Sequence, residues 1–421
     1  MAKVLAGVRV VEQGTFITGP AASMLLADLG ADVIKVEQPA GDPFRAFRGG
    51  LYSPHYQTYN RNKKSVTLDT RMPGDRVLFE QLISEADVYI QNFRPGVAEK
   101  LGAGEARLRE LNPSLIYCAI SGFGPDGPAA ARPSYDTVAQ AASGFLKLLV
   151  NPVNPRVVGP ALADAITGFY AAYGILGALY EREKQQARHG RPDGGAGARG
   201  RPEGESAARG RPDGEAGAKG RRVEVSMLEA MTHFNLDAFT HLFSEGEVMG
   251  PFSRPSVSQS YVLPCADGKW IALHMSSPPK FWAGLASAIE RPTLFEDPRF
   301  ETREARITHQ PELIELLGTI FRGRERAEWC RRLEALDVPY APVYDTDEVP
   351  DDPQAKHLQL FVDAPHPGQP AGGRWRTVRS PVSFDGERAL EVTAPPLLGD
   401  HNDVLHSGKS PWAAPMLKPT E

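Results

Sequence analysis

Cysteine is scarce in this chain, with three residues in 421. Cys118, Cys265 and Cys330 form neither a CxxC pair nor an even-numbered framework. Such spacing supports neither a disulfide scaffold nor a zinc site. We therefore predict no metal site, and we interpret each cysteine as a small buried apolar side chain.

An excess of positive charge and a long apolar run are also lacking. The net charge is −5 and the sequence pI is about 6.1, which gives no basic field for a nucleic acid. The apolar stretch 161–180 is too interrupted to predict a membrane span. The first residues, MAKVLAGVRVVEQG, show no basic region followed by a cleavage site. We expect a cytoplasmic protein with no nucleic-acid or membrane partner.

The sequence does contain a regular alternation of strand and helix patterns. The predicted strands are 8–12, 31–37, 65–69, 87–93 and 114–120, and the predicted helices between them are 19–30, 73–86 and 104–111. This alternation predicts an α/β domain with an open parallel sheet, whose ligands bind beyond the carboxyl ends of the strands. No GxGxxG follows the first strand, so a nicotinamide or flavin cofactor has no support.

Farther along the chain the pattern changes to shorter elements. A strand over 223–226, a helix over 227–243, a strand over 269–275 and several short amphipathic helices predict a smaller α+β domain, over 227–339. The proline-rich tail after it has too little apolar periodicity to form a core alone. We expect it to pack back on the first domain.

Residues 189–222 differ abruptly in composition from the rest of the chain. Three ten-residue units, GRPDGGAGAR, GRPEGESAAR and GRPDGEAGAK, begin at Gly190, Gly200 and Gly210. Units so rich in glycine, proline and alternating charge have no apolar face to bury, which predicts a low-complexity surface loop. A nucleic-acid arm is the alternative, but acids interleave with the arginines and no aromatic side chain is present to stack on bases.

The stretch 159–184 predicts a helix that opens beside an acid. Its apolar residues recur at spacings of four and three and predict one packed face: Ala165, Phe169, Ala172, Leu176 and Leu179. Asp164 stands just upstream, and Gly168 and Ala171 on its own side let a backbone or a ligand come close. The helix dipole and free N–H groups would hold this acid ionised, as a carboxylate nucleophile requires. An ordinary N-cap is the alternative for Asp164.

Seven strings carry a resemblance that extends over nearly the whole chain. They are LAGVRVVE, TGPAASMLLADLGADVIKVE with GDPFR, NRNKKSVTLD, QNFRPGVAEKLG, SYDTVAQAASG, ADAITGFYAAYGILGAL and PPLLGDH. In this order they resemble the family III CoA-transferases, the group of the formyl-CoA:oxalate and carnitine CoA-transferases. The same superfamily includes the 2-methylacyl-CoA racemases.

This resemblance implies a fold, an assembly and an activity. It implies a Rossmann-like large domain from 1–226 and 340–421, a small domain over 227–339, and two subunits interlocked as a homodimer. It implies transfer of coenzyme A from an acyl-CoA to a carboxylic acid, with Asp164 as the nucleophile. Coenzyme A would be a substrate and product, with no permanently bound cofactor.

The resemblance also implies contacts to coenzyme A by position. Arg71 and Arg94 suit phosphate groups, although a solvated surface charge is the alternative for each basic residue. The contacts implied are Thr18, Gln38, Leu68, Asp69, Thr70, Arg71, Asn92, Phe93, Arg94, Lys100, Tyr135 and Asp136.

Two departures from the family pattern bear on the substrate. The oxalate-acting branch carries a glutamine where this chain has Ile17, and a tetraglycine loop where this chain has PFSRPSVSQS. We therefore expect an acceptor other than oxalate, and an acyl group that is bulkier or less polar.

Racemisation and non-catalytic binding of coenzyme A are the alternatives to transfer. Racemases of the superfamily use a histidine and an aspartate as two bases, and their histidine aligns with Tyr135 in this chain. A tyrosine with an ordinary pKa of about 10 is a poor base at neutral pH. A non-catalytic scaffold would be favoured if Asp164 were absent, and it is present.

Removal of residues 190–219 should leave transfer activity intact, because the deletion joins ARH to GRRVEVSM by a connection of ordinary length. Long surface loops add little closure entropy, so the free energy of unfolding should change by about 1 kcal/mol or less. The measurement is transfer kinetics and coenzyme A titration beside the full chain. Binding weakened about tenfold, or 1.4 kcal/mol, in the deletion variant would assign the repeats to the site.

Overall fold

The computed structural model describes residues 3–189, 219–276, 278–369 and 372–414. The decamer repeats, for which we predicted a surface loop, lie outside these residues. The chain forms two compact units. The first comprises Met1–Ser143, Gly159–Phe234 and Phe361–Glu421, and the second comprises Gly144–Val158 and Asn235–Leu360.

The first unit is built on a six-stranded parallel sheet. Its strands are β1 (Arg9–Glu12), β2 (Asp32–Glu37), β3 (Lys63–Thr67), β4 (Val88–Gln91), β5 (Ile116–Ser121) and β6 (Arg222–Ser226). Their order is β3-β2-β1-β4-β5-β6, with every neighbouring pair parallel. The predicted α/β fold with an open parallel sheet is confirmed. Because the order reverses between β1 and β4, a crevice is expected beyond their carboxyl ends.

Three small antiparallel sheets complete the strand content of the described residues. They contain β7 (Ser260–Pro264), β8 (Trp270–His274) and β9 (Tyr340–Val343) in the first, β10 (Phe361–Pro365) and β11 (Arg374–Val378) in the second, and β12 (Ser383–Phe384) and β13 (Glu387–Arg388) in the third. The second unit contains the β7-β8-β9 sheet, on which helices of the same unit pack through a core that includes Ile271, Leu285 and Trp329.

Helices connect and cover the strands. They are α1 (Thr18–Asp28), α2 (Pro54–Tyr59), α3 (Pro73–Glu85), α4 (Val97–Lys100), α5 (Glu105–Leu111), α6 (Asp136–Ala142), α7 (Phe145–Leu149), α8 (Leu162–His189), α9 (Met227–Phe234), α10 (Leu236–Glu245), α11 (Ser253–Ser258), α12 (Pro279–Ala288), α13 (Arg303–Thr308), α14 (Gln310–Phe321), α15 (Arg326–Ala335), α16 (Pro353–His357) and α17 (Asn402–His406). Short 3-10 helices lie at Pro43–Ala46, Pro292–Phe295, Val349–Asp351 and Pro411–Ala413. The single helix predicted over 227–243 is wrong, because Asn235 leaves helical geometry and separates α9 from α10.

Each face of the six-stranded sheet carries its own core, since successive strand residues point to opposite sides. Val10 and Val33 pack with residues of α1 and α8 on one face. Val11 and Ile34 pack with residues of α3 and α5, and with Trp412 from the C-terminal segment, on the other face. A sheet covered on both faces explains why central strands such as β4 and β5 are nearly continuous apolar runs.

The packed face of α8 matches the predicted one in part, because Ala172 and Leu179 lie in the core and Leu176 packs against it. Phe169, which was expected to face the core, is 59% exposed, whereas Ala171 and Ile175 are fully buried. A Cβ at Gly168 would lie 3.0 Å from the carbonyl oxygen of Thr18 on α1. The small residues therefore let α8 approach α1 closely, and aromatic side chains occupy the other side of the helix.

One stretch of α8 resembles a membrane span in length and composition. Within the part of the chain that the structure describes, only Leu162–Ala187 is long and apolar enough. A core helix of a globular protein meets the same criteria, and α8 packs on the sheet and on α1. The absence of a membrane partner stays a prediction.

Charged side chains are buried at the carboxyl end of β1, within β2 and at the start of β3. Glu12 accepts hydrogen bonds from Lys35 Nζ at 2.8 Å and from Lys63 Nζ at 2.9 Å, and all three side chains are fully buried. Asp42 Oδ2 lies 3.0 Å from Lys35 Nζ, so two acids face two cations. Burial opposes ionisation of Glu12, but the two lysines outweigh it and lower the pKa of Glu12 to about 2.

Lys35→Met should lower the free energy of unfolding by about 3–5 kcal/mol, because it leaves two buried acids with one cation. The measurement is urea denaturation of the variant beside the parent chain.

The pKa of Glu12 is lowered from 4.5 to about 2, so the contribution of Glu12 to the stability of the parent chain should be complete above pH 4.5 and lost as the pH falls towards 2.

Arg107→Met is the control for this prediction. Arg107 pairs with Glu80 at 2.9 Å, but its side chain is 46% exposed. Loss of such an exposed pair should leave the midpoint of urea denaturation close to that of the parent chain. Equal, small losses in the two variants would contradict a structural role for the buried network.

Candidate active site

The crevice between β1 and β4 is shaped by the loop that follows β1. Thr15 donates its N–H to Asn92 Oδ1 at 2.9 Å and accepts from Asn92 Nδ2 at 2.8 Å. Asn92 Nδ2 also donates to Thr18 Oγ1 at 2.9 Å. One side chain after β4 therefore fixes the loop after β1 and the start of α1.

A cavity of about 320 Å³, which we call the acid cavity, lies beyond these strand ends. Of the described residues that line it, Asp164 is the one acid. The other lining residues are Thr15, Phe16, Ile17, Thr18, Asn92, Phe93, Arg94, Pro95, Val97, Ile120, Ser121, Gly122, Ala130, Arg132, Ser134, Tyr135 and Met227.

Asp164 is the third residue of α8, and another acid caps this helix. Asp136 Oδ1 accepts from the backbone N–H of Ala163 at 2.8 Å and from that of Asp164 at 3.4 Å. The alternative that Asp164 serves as an ordinary N-cap is therefore wrong. Because Asp136 satisfies the first turn, the Asp164 side chain is left to line the cavity.

The surroundings of Asp164 disfavour its charged form. Burial, and then the negative charge of Asp136, raise the pKa of Asp164 from 3.8 to about 7. The expectation that the helix dipole and free N–H groups hold this acid ionised is therefore wrong in direction. Desolvation and a like charge outweigh the dipole here, because Asp136 already occupies the N–H groups of the first turn.

A second cavity, of about 340 Å³, lies beyond the ends of β1 and β2 and is called the nucleotide cavity below. Gln38 and Arg71 line it, and Thr15 and Phe93 line both cavities. Arg71 binds Asp69 through two hydrogen bonds of 2.8 Å. The two cavities therefore meet at the loop after β1 and the segment after β4.

The residues predicted to contact coenzyme A divide into two groups. Those lining a cavity are Thr18, Asn92, Phe93, Arg94 and Tyr135 in the acid cavity, and Gln38, Phe93 and Arg71 in the nucleotide cavity. The others line neither: the side chains of Leu68 and Thr70 are fully buried, Asp69 binds Arg71, Lys100 is exposed at the end of α4, and Asp136 caps α8. Side-chain contact from Leu68 is excluded by its position in the core.

Several residues near Asp164 were missed by the sequence analysis. Phe16 has a φ of 61°, a conformation that residues other than glycine rarely adopt. The sequence pattern around this phenylalanine gave no sign of such a conformation. Its ring packs edge-on against Tyr135, with the ring centroids 6.0 Å apart. The pKa of Tyr59 is raised by burial and then by the charges of Asp164 and Asp136, which places Tyr59 beside both acids.

Comparison with known proteins finds relatives that match nearly the whole chain. A family model described as CoA-transferase family III matches residues 5–190 and 211–402, and the gap falls within the decamer repeats. The formyl-CoA:oxalate CoA-transferase of Streptomyces avermitilis is 31% identical over 415 residues, covering 97% of this chain and 96% of that protein. The succinyl-CoA:glutarate CoA-transferase of Homo sapiens is 28% identical over 410 residues, covering 95% and 84%.

The fold is also found in a solved structure. The crystal structure of a CAIB/BAIF family protein from Brucella suis matches with a TM-score of 0.79 and 27% identity, covering 96% of this chain and 98% of that one. The family model spans the six-stranded sheet, the loops of both cavities and the start of α8. The chain is therefore an enzyme that belongs to CoA-transferase family III.

Proposed function

We propose that this chain transfers coenzyme A from an acyl-CoA to a carboxylic acid through covalent intermediates on Asp164. The observation that carries the proposal is the placement of Asp164 as the one acid, among the described residues, in the wall of the acid cavity. Its pKa of about 7 leaves a large ionised fraction at neutral pH, and the ionised carboxylate is the nucleophile.

The reaction needs four exchanges at acyl carbons. An Asp164 oxygen attacks the thioester carbonyl and coenzyme A leaves as the thiolate, which gives a mixed anhydride. The thiolate then attacks the carbonyl carbon of Asp164 and releases the donor acid, which gives an aspartyl-CoA thioester. The acceptor carboxylate displaces coenzyme A from that thioester, and the thiolate attacks the acceptor's carbonyl in the second anhydride to regenerate Asp164.

Positive charge for these anions is available in the same wall. Arg94 and Arg132 both line the acid cavity, and both are exposed. A guanidinium group can bind a carboxylate through two parallel hydrogen bonds. We assign these two arginines to the entering and leaving acids.

Coenzyme A would extend between the two cavities. Arg71 in the nucleotide cavity suits a phosphate, and Thr15 and Phe93 line the passage to Asp164. With the nucleotide end near Arg71, the pantetheine arm would bring the thioester into the acid cavity. This path uses the carboxyl ends of the strands, where open α/β sheets bind their ligands.

The acyl group and acceptor should be less polar than oxalate. Ile17 lines the acid cavity beside Asp164 and is 7% exposed. An aliphatic side chain at this position offers no hydrogen bond to a second carboxylate, so a small dicarboxylate would leave polar atoms unpaired. We infer an acceptor that carries an apolar chain.

We propose a homodimer for the assembly, as the resemblance to the family implies. On α8, the side chains of Phe169, Tyr173 and Tyr180 are 59%, 76% and 63% exposed. Aromatic side chains are enriched in interfaces, and a helix side with three of them suits a partner subunit.

Asp164→Asn should abolish transfer while stabilising the fold at about pH 8. Charge on Asp164 is disfavoured in the folded chain, because its pKa is raised from 3.8 to about 7. The resulting loss of stability is complete above pH 7 and absent below pH 3.8, so the variant's gain in melting temperature should disappear as the pH falls through this range. Transfer assays and calorimetry across the pH range measure both effects.

Asp126→Asn is the control for that variant, because Asp126 is an exposed acid of the same unit. It should change neither transfer nor the melting temperature at any pH. The parent chain incubated with an acyl-CoA alone should show an adduct on the peptide that contains Asp164. Normal turnover by Asp164→Asn would remove Asp164 from the mechanism.

A 2-methylacyl-CoA in deuterated buffer should show no more α-deuterium exchange with the protein than without it, because racemisation needs two bases. Tyr135 stands where the racemases have histidine, and none of the described residues lining the acid cavity is a histidine. Coenzyme A should be transferred only after a carboxylic acid is added.

Tyr135→Phe should retain most transfer, since one lost hydrogen bond is worth about 1 kcal/mol. Rapid exchange that is lost in Tyr135→Phe would establish the tyrosine as a base.

A further inference from the structure

We propose, on the basis of the function proposed above, that Asp136 is a positioning residue that favours the uncharged covalent forms of Asp164 over the free carboxylate. It does so by capping the helix that presents Asp164 and by placing a second negative charge beside it. The resemblance to the family implies a coenzyme A contact for Asp136, whereas the geometry points to a role exerted through Asp164.

The geometry ties the two acids together through the start of α8. Asp136 Oδ1 accepts from the backbone N–H of Ala163 at 2.8 Å and of Asp164 at 3.4 Å. Asp136 Oδ2 accepts from Gln140 Nε2 at 2.6 Å, and Gln140 is fully buried. A carboxylate fixed by donors at both oxygens cannot turn away from Asp164 without losing them.

Other charged groups around α8 do not account for the repulsion that Asp136 exerts on Asp164. The groups near Asp164 are Asp136 from α6, Tyr59 from α2, and Arg94, Arg132 and Tyr135 from the cavity wall. Titratable groups on α1, α9 and β6, which pack against α8, are engaged with other residues: Asp28 with Arg61, Glu229 with Ser226, His233 with Tyr170, and Glu224 with Arg222. Asp136 is accordingly the charged residue that, together with burial, raises the pKa of Asp164.

The chemistry explains why a like charge would be useful. When the donor's acyl group is exchanged for coenzyme A, Asp164 becomes a neutral thioester and the negative charge leaves with the donor acid. Protonation of Asp164 removes the same charge. Both reactions relieve the same repulsion from Asp136, so one coupling free energy contributes to the pKa and to the yield of the covalent intermediate.

Asp136→Asn separates the charge from the cap. The amide oxygen can still accept from Ala163 N–H, and the new amide N–H₂ can donate to Gln140 Oε1 if the Gln140 amide rotates. Gln140 Oε1 is buried and, among the described atoms, has no hydrogen-bond partner. The substitution therefore removes one charge and keeps a hydrogen bond between positions 136 and 140, with Gln140 Nε2 in place of Oε1 as the unpaired amide atom.

The test measures kcat/KM against pH, and the equilibrium yield of the Asp164–coenzyme A adduct by intact mass with donor acyl-CoA alone. In Asp136→Asn the acidic limb of the kcat/KM profile should move to lower pH by about one unit, and the equilibrium constant for the adduct should fall by about tenfold. Asp136→Ala should show the same two shifts with a further loss of kcat, since the cap is also removed. Asp352→Asn, which changes an acid that caps α16 in the second unit, should leave both measurements unchanged.

Three outcomes decide between the alternatives. Parallel shifts of the limb and the adduct in Asp136→Asn, with an unchanged melting temperature, support the positioning role. An unmoved limb, or equal inactivity and a lowered melting temperature in Asp136→Asn and Asp136→Ala, would show that Asp136 is structural only. If Asp164→Asn retains transfer, the proposed function itself fails, whatever the Asp136 variants do.

Discussion

The buried charges of Glu12, Lys35, Asp42 and Lys63 hold the loop on which both cavities depend. Lys35 Nζ donates to the carbonyl oxygen of Gly14 at 2.8 Å, and Asp42 Oδ1 accepts from the backbone N–H of Phe16 at 3.2 Å. Asn92 holds the same loop from the other side of the crevice. Each loop residue fixed in one conformation gives up about 1–2 kcal/mol of backbone entropy. The network thus stabilises one shape of the site as well as the sheet beneath it.

The pKa values of two carboxylates in this unit, the fully buried Glu12 and the partly buried Asp164, are shifted in opposite directions, and their neighbours explain the difference. Burial opposes ionisation of both Glu12 and Asp164. Glu12 faces Lys35 and Lys63, which lower its pKa to about 2, whereas Asp164 faces Asp136 and its pKa rises to about 7. The acid that supports the fold is compensated, and the acid available for chemistry is not. Burial raises the pKa of Asp164, and the like charge of Asp136 adds to this effect where the lysines around Glu12 reverse it, which marks Asp164 as the reactive candidate.

Local patterns predicted most of the sheet, because strands such as β4 and β5 are nearly continuous apolar runs and glycine ends α1. Local patterns did not predict the features of Asp164 that depend on a residue distant in sequence. The cap of α8 comes from Asp136, which lies outside any helical window around Asp164, and the charge state of Asp164 depends on that same residue. Periodicity also assigned Phe169 to the core, although a close approach of α1 buries the small residues of α8 instead. The family resemblance identified Asp164, but only the structure shows its surroundings.

Apolar and aromatic side chains that line the acid cavity explain how Asp164 loses water. Phe16 adopts a φ of 61°, which costs about 1–3 kcal/mol for a residue with a side chain and persists because Asp42 binds its N–H. In this conformation its ring packs edge-on against Phe44 at 5.2 Å and against Tyr135 at 6.0 Å. Ile17, next in sequence, is 7% exposed in the same wall. Apolar side chains in these positions reduce hydration of the carboxylate, and exclusion of water also protects an anhydride or thioester from hydrolysis. Ile17, which we infer to influence the choice of acid, therefore bears on the reactivity of Asp164 as well.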